Sequence, residues 1–143
     1  MRSKTKEGLQ VIAFLAVASL AAALPLSKST DAGKQDRVAR GGQAFHIYCA
    51  SCHGLSAEGN GPMAHALAAE PADLTRISER YGGFPAERIA STIDGRAEVL
   101  SHGPGSMPVW GLSFQEGGRD LDQEREVQEK IRDLVAYLES LQK

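Results

Sequence analysis

Thiols are scarce in this 143-residue chain: Cys49 and Cys52 are its only cysteines. No second Cys or His pair stands at ligand spacing, so a four-ligand zinc site has at most half its donors. No βαβ pattern surrounds the pair, which removes the context of a thioredoxin-like dithiol. A plain disulfide leaves the adjoining His53 and Gly54 without a role. Runs of basic residues are also missing, and with them the usual footprint of a nucleic-acid partner. The chain has no internal repeat and no strand-like alternation of any length. What remains is a mostly helical chain with one unusual short motif.

That motif is Cys49-Ala50-Ser51-Cys52-His53. The C-x-x-C-H spacing reads as a c-type haem attachment site. Each thiol can add across one vinyl group of the porphyrin, giving two thioethers. On one helical turn His53 then faces the iron and supplies an axial ligand. The motif occurs once, so one haem is expected. It consumes both thiols, so no disulfide is expected.

The N-terminus has the three-part layout of a secretory signal. Arg2, Lys4 and Lys6 precede a nearly unbroken apolar run from Leu9 to Leu26, and Ala21-Ala22-Ala23 offers a processing site. The alternative is an uncleaved membrane anchor formed by residues 9–26, a run just near the length needed to cross a bilayer. Either way the basic end stays inside and the folded part lies outside the cytoplasm, with the periplasm as the expected location. Loss of residues 1–23 removes Arg2, Lys4, Lys6 and Glu7 and moves the formal charge from −2 to about −4. Residues 24–36 are polar and read as a tether without fixed structure. Residues 37–143 form the expected domain, with a core completed by the haem.

Within that domain Val38, Gly41, Phe45 and Tyr48 share a face at helical spacing over Arg37 to Tyr48. Gly41 weakens a helix, which points to a close backbone approach at that position. Gly59-Asn60-Gly61-Pro62 is turn chemistry. A short helix is predicted over Met63 to Ala69, and a further short segment ends at Tyr81. Another helix runs from Phe84 to Asp94, with Pro85 in its first turn and Gly95 as its stop. Arg96 to Gly111 reads as a loop. The last helix spans about Asp122 to Leu141, where Val127, Ile131, Leu134, Leu138 and Leu141 make an apolar stripe. Asp120, Asp122, Glu124 and Glu126 crowd its start, as the helix dipole favours.

With these residues in place, the stretch 37–142 resembles class I cytochrome c, in order and nearly throughout. Gly41-x-x-x-Phe45-x-x-x-Cys49 resembles that family's N-terminal helix entering the haem motif. Pro71-Ala72-Asp73-Leu74 resembles its proline loop, where a carbonyl accepts the proximal histidine Nδ1–H. Gly105-Ser106-Met107-Pro108-Val109-Trp110 resembles the loop that carries the distal methionine. Ile131 to Leu141, with Tyr137, resembles the C-terminal helix. The resemblance implies an all-α cytochrome c fold. Its N- and C-terminal helices cross over a covalently bound haem, with Gly41, Phe45 and Tyr137 at the contact and long Gly/Pro-rich loops elsewhere. The acidic stretch between Phe114 and Glu126 departs from the family pattern.

The candidate site therefore comprises Cys49, Cys52, His53, Pro71, Arg96, Met107 and Trp110. Met107 is the expected distal ligand, a soft neutral thioether that favours ferrous iron; the alternative is a core gap-filler. His102 is its rival and would give a bis-histidine haem. Met63 reads as core or surface, and His46 and His65 as exposed. Trp110 is expected near the haem edge, where its indole N–H can reach a propionate. Arg88 and Arg96 have the geometry to pair with propionates or to sit on solvated helix faces. The leading function is one-electron transfer by haem c, without chemistry on a substrate and with weak, transient docking to redox partner proteins. The alternatives are a haem subunit of a membrane or periplasmic oxidase or dehydrogenase, and a five-coordinate haem enzyme or sensor. No nucleic acid partner is expected.

Overall fold

Every regular element among the described residues is helical. The computed structural model describes residues 27–96, 107–115 and 120–143. Six α-helices follow in order: α1 (Ser27–Tyr48), α2 (Ala50–His53), α3 (Ile77–Tyr81), α4 (Ala86–Asp94), α5 (Trp110–Ser113) and α6 (Leu121–Ser140). Two 3-10 turns, Ala64–Ala66 and Leu74–Arg76, lie between α2 and α3. This all-α arrangement agrees with the cytochrome c fold class.

The principal packing is α1 against α6, with α4 also on α6. The apolar stripe of α6 supplies the reason: Val127, Ile131, Leu134 and Leu138 are all buried, and Leu141 is half-buried against them. Phe45 of α1 meets them from the other side, fully buried, with its ring 5.4 Å from that of Tyr137. Gly41 explains how the two backbones come so close. A methyl placed on it would fall on the Asp133 carbonyl group and lie 2.8 Å from Tyr137 Cβ. The Asp133 side chain, buried at the same contact, accepts from Arg40 Nε (2.7 Å) and Nη2 (3.1 Å), with Arg37 3.5 Å away. A buried carboxylate is costly unless paired, so these two arginines make the polar part of the contact tolerable.

The ends of α6 and α4 form as their residues dictate. Asp120 caps α6 by accepting from the Asp122 and Gln123 amides at 3.0 and 2.9 Å. Gly95 ends α4 with φ +68°, its N–H on the Ser91 carbonyl (2.9 Å). Helix α4 starts at Ala86 rather than Phe84, with Pro85 capping it.

Two expectations are corrected. Residues 27–36 are the first turns of α1, not a tether without structure. They have no apolar face, so periodicity could not reveal them. Once the later turns of α1 are packed, adding residues to an existing helix gains one hydrogen bond each without the nucleation cost. Residues 31–36 are exposed, and the Lys34–Glu139 pair (3.9 Å) is the kind of surface contact that adds little. The loop expected up to Gly111 instead closes into α5, where Phe114 N–H reaches the Trp110 carbonyl at 2.9 Å. Burial of Phe114 and half-burial of Trp110 hold that turn in place. The apolar run Leu9–Leu26, the processing site at Ala23, His102 and part of the acidic stretch lie outside the described residues. Among the described residues no helix is long and apolar enough to cross a membrane.

Arg96 ties the end of α4 to the start of α6. Its Nε and Nη2 donate to Asp94 at 2.6 and 2.7 Å, and its Nη1 and Nη2 donate to Glu124 at 2.7 and 2.8 Å. Gln128 Nε2 completes the group, 3.1 Å from both carboxylates. The Arg96 hydrogen bonds hold the Asp94 and Glu124 carboxyls below their ordinary range. Both groups titrate lower folded than unfolded, so their pairing stabilises the fold above about pH 4 and is lost as pH falls below it. Arg96→Met should raise the pH midpoint of acid unfolding, as followed by far-UV circular dichroism. An unchanged midpoint would show that the cluster adds nothing to acid stability.

Candidate functional site

The attachment motif folds as one short turn with Cys49 as its N-cap. The Cys52 and His53 amides both donate to the Cys49 carbonyl, at 3.1 and 2.9 Å. Residues three apart share a helix face, so Cys49 and Cys52 point the same way, with His53 beside them. Both thiols are half-buried and unpaired. Burial pushes the Cys49 thiol up to about 12. A thioether carries no charge, so the same position costs it nothing on that account.

The carbonyls at the end of α2 need partners, and the following turn supplies them. Gly59 N–H donates to His53 O (2.8 Å), Gly61 N–H to Cys52 O (3.0 Å) and Met63 N–H to Ser51 O (2.8 Å). Gly61 must be small: a Cβ there would lie 2.5 Å from Ser51 O and 2.6 Å from Cys52 C and O. The chain then turns back so that Ala72 O lies 3.0 Å from His53 Nδ1. A carbonyl can only accept, so Nδ1 carries the hydrogen, and in the neutral imidazole Nε2 is then the ring's donor atom for a metal. Ala72 is held in turn by its neighbours. Leu74 N–H donates to Ala57 O (2.8 Å), and Asp73 accepts from the Thr75 amide and hydroxyl (2.9 and 2.7 Å).

A cleft of about 290 Å³ collects three separate stretches. Tyr48, Cys49, Cys52 and His53 come from the α1–α2 junction; Leu67, Pro71 and Ala72 from the middle segment; Met107, Pro108 and Trp110 from the segment entering α5. Its size is at the lower end of small-molecule and cofactor sites. Trp110 is braced by aromatics, its ring 5.4 Å from Phe114 and 5.7 Å from Tyr48.

Of the residues singled out from sequence, Cys49, Cys52, His53, Pro71, Met107 and Trp110 line this one cleft. Arg96 does not; Asp94 and Glu124 occupy its guanidinium. Arg88 lies 5.0 Å over the Tyr81 ring. His46 and His65 are exposed, and Met63 is 50 % exposed and away from the cleft lining. Tyr48 and Leu67 were not singled out for the site. Tyr48 looked like one more member of a helix face, though its place directly before Cys49 is the signal that puts it in the wall.

The donor set fits a haem c. Two thiols stand on one helical face, one imidazole has its Nδ1 tied to Ala72 O, and a methionine, Met107, borders the same cleft. No ligand atoms from charged oxygen clusters are needed for nitrogen and sulfur axial ligation.

A family model described as "Cytochrome C oxidase, cbb3-type, subunit III" matches residues 36–138. No curated protein and no solved structure matches the chain. The match covers the attachment turn, the cleft and almost all of α6. The chain therefore belongs to the cbb3-type cytochrome c oxidase subunit III family and is a monohaem c-type cytochrome domain, a class that performs haem-based electron transfer.

Proposed function

We propose that the chain relays single electrons through a haem c attached at Cys49 and Cys52, with His53 and Met107 as axial ligands, in an exported chain that ends at an oxidase. The observation that carries this reading is the convergence of those four residues on one apolar cleft. When bound, the haem supplies reversible one-electron chemistry between its ferrous and ferric states. Cys49 and Cys52 fix its position. The Nδ1–H of His53, donated to Ala72 O, sets the tautomer and orientation of the imidazole and raises its basicity. Met107 offers a neutral, soft donor that favours the reduced state. Tyr48, Leu67 and Trp110 line the cleft and would give the ring an apolar wall. With His53 and Met107 both holding the iron, small molecules would find no open site, which separates this reading from the enzyme or sensor one.

The family match favours an oxidase as the electron acceptor, with the chain either a resident subunit or a carrier that docks weakly. Residues 37–143 form the electron-transfer domain, and residues 1–23 direct export. N-terminal sequencing of periplasmic material should find a chain starting near Leu24. Recovery only in membranes with Met1 retained would make residues 9–26 an anchor, and co-purification of an oxidase would then identify a resident subunit.

A reductive titration of the purified protein, followed in the visible bands, tests the reading. One reversible one-electron step and no fast binding of carbon monoxide are expected. Rapid carbon monoxide binding by the unmodified protein would replace electron transfer with an open-site function.

A further inference from the structure

Gln142, just past α6, makes three hydrogen bonds with one side-chain amide. Its Nε2 donates to Leu74 O at 2.9 Å and to Leu138 O at 2.6 Å, and its Oε1 accepts from Ser78 N–H at 2.9 Å. Both ends of the Leu74–Ser78 segment are thus fastened to the last turn of α6. Lys143 adds a backbone bond to Thr75 O (3.1 Å) and a side-chain bond to Glu58 (2.9 Å). The segment so fastened begins two residues after Ala72, whose carbonyl receives the Nδ1–H of His53. Leu74 is held from both sides, its N–H on Ala57 O and its C=O on Gln142. Nothing in the attachment motif makes this connection; the end of α6 does.

We propose that Gln142 is a positioning residue for the proximal histidine. By clamping Leu74 and Ser78 to α6 it holds the Ala72 carbonyl where His53 Nδ1–H must point, and so tunes the ligand strength of the imidazole. A partner on the far nitrogen of a ligating histidine fixes its ring and raises its basicity. A stronger imidazole donor favours the ferric state. Loosening the clamp therefore weakens the Nδ1–H bond and raises the reduction potential. The inference rests on His53 as an iron ligand, as proposed above.

The test uses the complete holoprotein with Gln142→Ala and Gln142→Glu. The glutamate keeps an acceptor for Ser78 N–H but has no donor for Leu74 O. It therefore serves if the alanine variant folds poorly. Three quantities are read: the midpoint potential, solvent exchange of the His53 Nδ1–H by NMR, and thermal stability. Both variants should show a higher potential and about tenfold faster exchange, the loss of about one hydrogen bond of local protection. Asp120→Ala, which removes the cap at the far end of α6, should lower the melting temperature and leave the other two readings alone. If the Gln142 variants lower the melting temperature but leave potential and exchange unchanged, Gln142 is merely structural and the inference fails. If the His53 ring in the unmodified oxidised protein shows no hyperfine shift, His53 is not a ligand, and the parent reading fails with it.

Discussion

Gly41→Ala should destabilise the domain by about 3 kcal/mol, the upper part of the range for overpacking a close contact. The added methyl would meet the Asp133 carbonyl and Tyr137 Cβ, backbone or near-backbone atoms of α6 that no rotamer change can move aside. The helices would have to separate, loosening Phe45 against Ile131 and Leu134. Alanine is the better helix former by about 1 kcal/mol, so the clash must outweigh a local gain. Gly33→Ala provides the contrast. It lies on the same helix, exposed, with nothing within 4 Å of the added methyl, and should stabilise by up to about 1 kcal/mol. For a domain near 100 residues the first change lowers the melting temperature by roughly 10 °C or more, and the second raises it by a few degrees. Calorimetry of both variants decides the matter. Equal responses at the two glycines would mean that the helix contact is not the close approach described.

Met107→Ala should have the largest effect on function. Met107 and Pro108 border the cleft together with His53, and no other described methionine does. Under the proposed ligation its thioether is the neutral, soft donor that favours the reduced state, and the substitution takes that donor away. The potential should fall by on the order of 0.1 V, within the roughly 0.8 V over which axial ligands set haem potentials. The open position should admit carbon monoxide or cyanide readily. Met63→Ala should do neither, because Met63 is half exposed and away from the cleft lining. His102→Ala should leave the sixth ligand in place. A six-coordinate spectrum that survives loss of Met107 and collapses on loss of His102 would make the centre bis-histidine.

Much of this arrangement was legible before folding because its signals are local. The stripe from Val127 to Leu138 repeats at helical spacing, and all four of its inner members are buried. Gly41 stood out as a helix-weakening residue on an otherwise apolar face, and the contact with Asp133 supplies the reason. The C-x-x-C-H spacing needs one helical turn, and α2 is one. What the chain hid is non-local. Arg96 offers the same fork to a propionate as to a carboxylate, and only folding brings Glu124, 28 residues on, to meet it. Asp133 lies beside the apolar stripe with nothing in its neighbourhood to mark burial, because Arg37 and Arg40 come from α1. The early turns of α1 have no apolar face and inherit their helix from the packed part. Gln142 is a polar residue at a helix end until Leu74 and Ser78 arrive beside it.

The central claim is that Cys49 and Cys52 hold one haem covalently, and mass spectrometry of the purified protein after acid-acetone extraction tests it most directly. The account expects the colour to stay with the polypeptide and the intact mass to exceed that of the bare chain by one haem. Peptide mapping should find Cys49 and Cys52 both modified. Colour passing into the organic phase, with both thiols free to alkylate, would contradict it.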